Sequence, residues 1–167
     1  QRNADLLANN FKKMRGAALK IGQMLSTSEE SVLPPIIREA MEKARSEADI
    51  MPLKQVTKNL IREYGQDWQQ NFKEINLYPF AAASIGQVHE AILRDGQRVA
   101  IKMQYTGIAN SIDSDLNNFK RLSDVLGIFP RGLYIDEAIR VSRKELHWEC
   151  DYTREASYQV AYREHLL

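Results

Sequence analysis

The sequence has one cysteine, no long apolar run and almost no net charge, and each shortage excludes a class of protein. Because Cys150 is alone, an internal disulfide and a cysteine-based zinc site are excluded, and a reducing compartment fits best. No stretch approaches the roughly 18 apolar residues that a membrane-spanning helix needs. With 23 basic and 22 acidic residues, the net charge of +1 gives no electrostatic reason to expect a nucleic-acid partner. The remaining expectation for 167 residues, 44% of them hydrophobic, is one folded domain or a large part of one.

The first half of the chain is predicted to be helical. Apolar residues recur with a period near 3.6 over residues 5–25, and Gly22 inside this pattern suggests the close approach of another backbone. A second helix is predicted to begin at residues 34–35 (PP). A third is predicted over residues 52–64, because proline suits the first helical position and Gly65 suits the left-handed residue after the end.

The second half begins with short apolar or alternating stretches that predict strands at residues 77–83, 87–93 and 97–104. Residues 95–96 (DG) lie between the last two stretches and are a strong hairpin signal. A small antiparallel sheet is therefore expected. Helical periodicity returns over residues 109–126 and again from about residue 136 to the end.

This sheet region carries a pattern typical of a nucleotide site. Residues 81–88 (AAASIGQV) fit the G-x-G-x-x-G-x-V frame of a kinase phosphate loop, with alanine at the first two glycine positions. Residues 99–102 (VAIK) follow on the third strand, where Lys102 could reach the phosphates as a point charge. The candidate nucleotide-binding residues are Ala81, Ala82, Ala83, Ser84, Gly86, Val88 and Lys102.

Each part of this pattern also has a plainer interpretation. Taken alone, Lys102 could be a solvated lysine on a strand, and residues 81–83 could be a strand segment packed under a helix. The loop frame, the hairpin and an acidic helix after them, in this order, favour the nucleotide site. Alanine reaches positive φ less readily than glycine, so the loop should be stiffer than a kinase loop, and Ala83→Gly is expected to change nucleotide affinity or selectivity.

Two further clusters of polar residues are candidates for a site. Lys20 and Gln23 lie three residues apart and share one helix face. Glu149 and Asp151 could face one cleft if the helix breaks between them. Solvated polar faces are the alternative in both cases.

Together these motifs resemble those of the UbiB family of atypical protein-kinase-like proteins. Their amino-acid sequences are most similar to those of mitochondrial members. Residues 16–26 (GAALKIGQMLS) resemble the family's K-x-G-Q signature, and residues 79–89 (PFAAASIGQVH) resemble its alanine-rich loop. Residues 149–152 (ECDY), followed by residues 154–156 (REA), resemble its E-x-D motif. The similarity covers nearly the whole chain in the correct order.

The resemblance implies a role for each candidate residue. Lys102 would contact nucleotide phosphates and pair with Glu155, and the alanine-rich loop would cover the phosphates. Lys20 and Gln23 would come from a helical extension that covers the cleft where a protein substrate normally lies. Glu149 and Asp151 would meet that extension at the cleft. Such an arrangement implies ATP hydrolysis or phosphoryl transfer to a small molecule rather than protein phosphorylation.

The resemblance also implies an α+β fold, with a helical extension over residues 1–75 packed on a kinase-like small lobe over residues 76–167. Mg-ATP would be the ligand, and the metal ligands and the catalytic base would come from a second lobe that this chain lacks, so the chain alone should be inactive. Coenzyme Q biosynthesis proteins would be the partners, on the matrix face of the mitochondrial inner membrane.

A lipid- or partner-binding scaffold is the alternative function, with the nucleotide site used only to set conformation. The first predicted helix carries Arg2, Lys12, Lys13 and Arg15 among apolar residues and could contact membrane lipid as a surface helix. Packing of this helix on its own domain is the competing interpretation.

Overall fold

The computed structural model describes residues 10–11, 14–26, 35–46, 50–127, 129 and 135–166. In chain order, the helices are α1 (Arg15–Ser26), α2 (Pro35–Ser46), α3 (Leu53–Tyr64), α4 (Ile108–Leu126), α5 (Ile135–Cys150) and α6 (Tyr152–Leu166). The strands are β1 (Phe72–Ile75), which a short 3₁₀ turn over Trp68–Asn71 precedes, β2 (Ala81–Ala82), β3 (Gly86–Leu93) and β4 (Arg98–Gln104). The predicted α+β class is therefore confirmed.

These elements form two compact units. A helical unit combines residues 1–47 with 108–167, and a sheet unit comprises residues 48–107. The division expected from the sequence, at residues 75 and 76, falls inside the sheet unit. That division stays a prediction about the domains of the whole protein.

In the helical unit, α1 packs against α2, α4 and α5, and α4 packs against α5. A Cβ atom added to Gly22 of α1 would lie 2.7 Å from the sulfur of Met41 on α2. The close approach predicted at Gly22 is thus present, although the neighbour is a side chain rather than a backbone. The part of the predicted first helix before Asn10 lies outside the described residues, as do Arg2, Lys12, Lys13 and the side chain of Arg15, on which the membrane alternative depended.

The last helical stretch of the sequence is two helices. Ile139, Ser142 and Leu146 form the buried face of α5. The helix ends at Cys150, and α6 begins at Tyr152. None of the described residues of α6 is buried.

The sheet unit contains a four-stranded antiparallel sheet centred on β3. β4 pairs along one edge of β3, while β1 and β2 pair with opposite ends of its other edge. The predicted hairpin joins β3 to β4, and Gly96 in its turn has a φ of 88°, which favours glycine. The core under the sheet brings together α3, the 3₁₀ turn and the strands. Its buried members are Met51, Val56, Leu60, Trp68, Phe72, Ala91 and Met103.

The strand predicted over residues 77–83 is shorter than expected, and β1 was not predicted. Only Ala81–Ala82 pair as a strand in that stretch. The Asn76 side chain accepts a hydrogen bond from the Tyr78 N–H at 3.0 Å, and this local turn replaces sheet pairing. Pro79 follows the turn and has no N–H to donate to a neighbouring strand.

Candidate functional site

The alanine-rich loop is a tight hairpin between β2 and β3. Ala81 pairs with Val88 and Ala82 with Gln87, and the Ala83 N–H donates to the Gly86 carbonyl at 2.8 Å. The turn therefore consists of Ser84 and the buried Ile85. No described residue other than glycine has a positive φ. The loop closes in conformations that alanine adopts freely, so it does not need glycine at its first two frame positions.

Gly86, the glycine that the loop retains, is required for a steric reason. A Cβ atom at this position would lie 2.1 Å from the carbonyl oxygen of Met103 and 2.9 Å from its carbonyl carbon, both on β4. Gly86 is not among the glycines with positive φ. The loop is thus fixed at its base by the close approach of two strands.

Three candidate nucleotide-binding residues share one face of the sheet. Val88 lies opposite Ala81 on one side and opposite Lys102 on the other. Directly paired residues of antiparallel strands point to the same face, so Ala81, Val88 and Lys102 form one row across three strands. We call this the nucleotide row. Lys102 is exposed, whereas Met103, the next residue, is buried on the opposite face.

The chemistry that the nucleotide row offers is a cation beside small side chains. Ala81 and Ala82 are exposed, and Ala83 and Ser84 are half-buried. A loop of small residues next to a lysine on a rigid strand leaves room for phosphate oxygens and supplies a positive charge to hold them. Glu155, the predicted partner of Lys102, is half-buried in the first turn of α6, in the other unit, and the pairing stays a prediction.

The second candidate cluster joins α1 to α5. The Lys20 ammonium lies 2.8 Å from Glu145 Oε2 and 2.7 Å from Glu149 Oε1. Glu145 and Glu149 are four residues apart, hence on one face of α5, where their like charges would repel without a cation between them. The expected meeting of Lys20 with Glu149 is therefore observed, and the cluster has Glu145 as an additional member. Gln23 lies on the same helix, but its side chain is outside the described part of the chain.

The electrostatics of this cluster favour the charged lysine. Partial burial acts to lower the pKa of Lys20, but the hydrogen bonds and charges of Glu145 and Glu149 outweigh it, so the pKa of Lys20 lies above its ordinary value. The Lys20 side chain is 16% exposed, against 37% for Glu145 and 27% for Glu149. This partly exposed cluster is screened by salt less than a fully exposed ion pair.

Asp151 occupies the break between α5 and α6 and caps the second helix. Its carboxylate accepts a hydrogen bond from the Arg154 N–H at 3.0 Å, and its backbone carbonyl accepts one from the Glu155 N–H at 3.0 Å. The Arg154 guanidinium lies 4.2 Å from the ring centre of Trp148 and 4.6 Å from that of Tyr158. The helix cap by Asp151 and the packing of Arg154 on the two aromatic rings together fix the junction between α5 and α6, which follows Glu149.

Sequence reasoning missed three polar residues beside these motifs. Glu145 was not among the candidate site residues, although its spacing from Glu149 places both on one helix face. Gln87 and His89 lie within the strand motif but are 1% and 0% exposed on the core face of β3. The sequence feature that could have identified them is the alternation of side chains in a strand, which places residues 87, 89 and 91 on one face of the sheet.

Among the described residues, no three histidine, cysteine or acidic side chains lie close enough together to hold a metal ion. No described helix has the length and apolar content to cross a membrane.

The small antiparallel sheet with Lys102 on its last strand, β4, and helix α3 packed in the same unit define a kinase-like small lobe. The family comparison agrees, because residues 43–167 match the ABC1 atypical kinase-like domain. This chain belongs to that family, which includes the UbiB-type proteins that its motifs resemble.

Curated relatives carry the same resemblance. The chain is 47% identical over 162 residues to the mitochondrial atypical kinase coq-8 of Caenorhabditis elegans, an alignment that covers 97% of this chain and 22% of the relative. It is 48% identical over 154 residues to the mitochondrial atypical kinase COQ8 of Saccharomyces cerevisiae, covering 92% and 31%. The chain thus spans less than a third of the length of these relatives.

A solved structure has a similar fold. The complex of Rv3197 with erythromycin from Mycobacterium tuberculosis matches 98% of this chain and 42% of that chain, with a TM-score of 0.53 and 32% sequence identity. The similarity extends over both units of this chain and supports the α+β, kinase-like class.

Proposed function

We propose that this chain is the amino-terminal part of a mitochondrial atypical kinase or ATPase that binds Mg-ATP and supports coenzyme Q biosynthesis. The nucleotide row is the observation that carries the proposal, because it places Lys102 on the same sheet face as Val88 and Ala81, beside a loop of small residues. Membership of the ABC1 family and the relatives named as mitochondrial COQ8 kinases support the family context.

Each group has a role in the proposed site. Lys102 holds nucleotide phosphates by charge, and the 81–86 loop covers them with its backbone. ATP would supply the phosphoryl group, and Mg²⁺ held by residues of a second lobe would neutralise the phosphate charge, so this chain alone would be inactive. Glu155 pairs with Lys102.

The helical unit sets the choice of acceptor in this proposal. Lys20 and Gln23 cover the cleft that a protein substrate would enter, and Glu149 and Asp151 hold that cover in place. The Lys20 contacts with Glu145 and Glu149 support such a fixed cover, since two carboxylates anchor one lysine. Water or a small molecule is then the phosphoryl acceptor. The partners are proteins of coenzyme Q biosynthesis at the matrix face of the inner membrane, with peripheral contact to its lipid.

Phosphate release by the full-length protein tests the proposal. Lys102→Met should lower turnover by about 10²-fold or more, because it removes the positive charge on the phosphates. Arg98→Met is the matched control, since Arg98 lies on the same strand and face and loses the same charge. Turnover that is unchanged by Lys102→Met, or absent from both proteins, would support the scaffold function instead.

A further inference from the structure

A buried polar network lies behind the nucleotide row, on the other face of β3. Gln87 and His89 flank Val88 in the strand. Their side chains therefore point into the core, while the side chain of Val88 lies on the opposite face, in the nucleotide row. Such polar groups in an apolar core are costly unless each finds a hydrogen-bond partner.

The directions of the hydrogen bonds follow from their chemistry. The Asn76 carbonyl oxygen lies 2.9 Å from His89 Nδ1 and can only accept, so Nδ1 carries a proton. Gln87 Oε1 accepts from the Met51 N–H at 2.9 Å, which leaves the Gln87 amide nitrogen facing His89 Nε2 at 2.9 Å. That nitrogen donates, and Nε2 accepts. The imidazole is therefore neutral, with its proton on Nδ1.

This network holds the base of the loop from two further segments of the sheet unit. Gln87 connects the loop strand to Met51, one residue before the N-cap Pro52 of α3, and His89 connects it to Asn76, after β1. Gln87 directly follows Gly86, which is already pressed against Met103 of β4. The rotation and the register of the strand that leads into the loop are thereby fixed.

We propose that Gln87 and His89 are positioning residues for the nucleotide, acting through the loop base rather than by touching the ligand. The inference rests on the proposed nucleotide site. A buried polar pair adds little stability over an apolar pair of the same shape, but its hydrogen bonds are directional and select one arrangement. The arrangement selected here aligns Ala81, Val88 and Lys102 in one row.

The first test is nucleotide affinity in the full-length protein. Gln87→Met keeps the shape of the side chain but can neither accept from Met51 nor donate to His89. We expect Mg-ATP affinity to fall about tenfold, the effect of about one directional hydrogen bond transmitted to the loop. Ala91→Gly is the matched control, because Ala91 is buried on the same strand and face but farther from the loop, and its affinity should stay within about twofold of wild type.

The second test uses ¹⁵N NMR to determine which nitrogens of the His89 ring carry a proton. Wild type should show a neutral imidazole with the proton on Nδ1. In Gln87→Glu the carboxylate still accepts from Met51 but cannot donate, so His89 should gain a second proton and donate through Nε2. Because both connections are then restored, Mg-ATP affinity should return to within about threefold of wild type.

Three outcomes would overturn the proposal. A wild-type imidazole protonated on Nε2 would contradict the network. Equal losses of affinity in Gln87→Met and Ala91→Gly, in proteins that circular dichroism shows to be folded, would reduce Gln87 to a structural role. Absence of nucleotide binding by wild type would overturn the proposed function as well, and only that outcome does so.

Discussion

The sheet unit buries neutral polar groups, whereas the helical unit half-buries one lysine between two carboxylates. Gln87 and His89 are satisfied by amide, imidazole and backbone partners, and their network is almost completely shielded from solvent. Lys20 keeps partial contact with solvent, as do Glu145 and Glu149. The difference follows from desolvation, because a neutral amide loses far less than an ion when it leaves water.

This contrast suggests that the two units have different structural roles. A neutral, directional network suits a part that must keep one shape, such as the base of the alanine-rich loop. A charged cluster that keeps partial contact with water holds its helices by an interaction that depends on ionic strength and pH. Predictions for four variants test or sharpen the contrast, beginning with the largest effect.

Gly86→Ala should be the most destabilising change, because the added methyl group would overlap the Met103 carbonyl oxygen at 2.1 Å and two paired strands would have to separate. We expect a loss of about 3 kcal/mol or more in the free energy of unfolding, measured by urea titration of the full-length protein.

Gly127→Ala provides the control for that substitution. Gly127 has a φ of 58° and no neighbouring atom near its added Cβ, so only backbone strain of about 1 kcal/mol is expected. If the two variants lost equal stability, the backbone at the base of the loop would accommodate a methyl group more easily than the contact distance implies. The contrast between the units would then weaken.

Lys20→Met should come next, with a loss of about 1–2 kcal/mol, between the values for exposed and buried ion pairs. The change leaves Glu145 and Glu149 facing each other on one turn of α5. The control is Lys120→Met, since the Lys120 side chain is 40% exposed and its pairs with Asp124 and Asp136 should contribute less.

The same variant predicts a pH dependence. Because the folded protein raises the pKa of Lys20, its stabilising contribution is fully present at neutral pH and is lost as pH rises through the raised value, above the ordinary lysine range. The difference in unfolding free energy between wild type and Lys20→Met should therefore shrink only at strongly alkaline pH. A difference that disappeared between pH 7 and 9 would contradict the assigned pairing.

How much the sequence could predict depended on whether a group has a distinctive local pattern. The helices, the Asp95-Gly96 hairpin and the strand with Lys102 followed from periodicity and turn chemistry, and the structure confirms them. β1 is short, has no clear alternation and pairs with β3 far along the chain, so local patterns did not reveal it. Tertiary pairing of this kind overrides weak strand propensity.

The candidate site shows the same limit. The motifs, through their resemblance to the family, implied that Glu149 meets the helical extension that carries Lys20, and that contact is present. They did not predict the Gln87–His89 network, since a neutral polar residue in a strand is recognised as core only when the buried face is known. The Asp151 cap was not predicted, because a helix break between Glu149 and Asp151 was considered only as a way to turn both carboxylates toward one cleft.

Asp151→Ala should cost about 1 kcal/mol, the usual value of a helix N-cap, by exposing the Arg154 N–H at the start of α6. Asp151→Asn should retain most of that stability, since an amide oxygen also caps. Comparing these two variants separates a structural role of Asp151 from a chemical one. If the asparagine variant is stable but releases phosphate more slowly, the charge of Asp151 has a role in the reaction. If both variants lose activity only in proportion to stability, capping is its whole role.

Ala83→Gly should have the smallest effect, and it acts on affinity rather than on the fold. Ala83 is held by its N–H bond to the Gly86 carbonyl, and glycine there would widen the range of loop conformations without removing a contact of the base. A flexibility change of this size corresponds to about a two- to fivefold change in nucleotide affinity. Calorimetric titration of wild type and variant with ATP and with ADP measures it. Because the two nucleotides differ at the γ-phosphate, a lid over the phosphates should change their affinities unequally. Equal ATP and ADP affinities in both proteins would argue against a lid and would leave positioning by the rigid base of the loop as the contribution of the sheet unit.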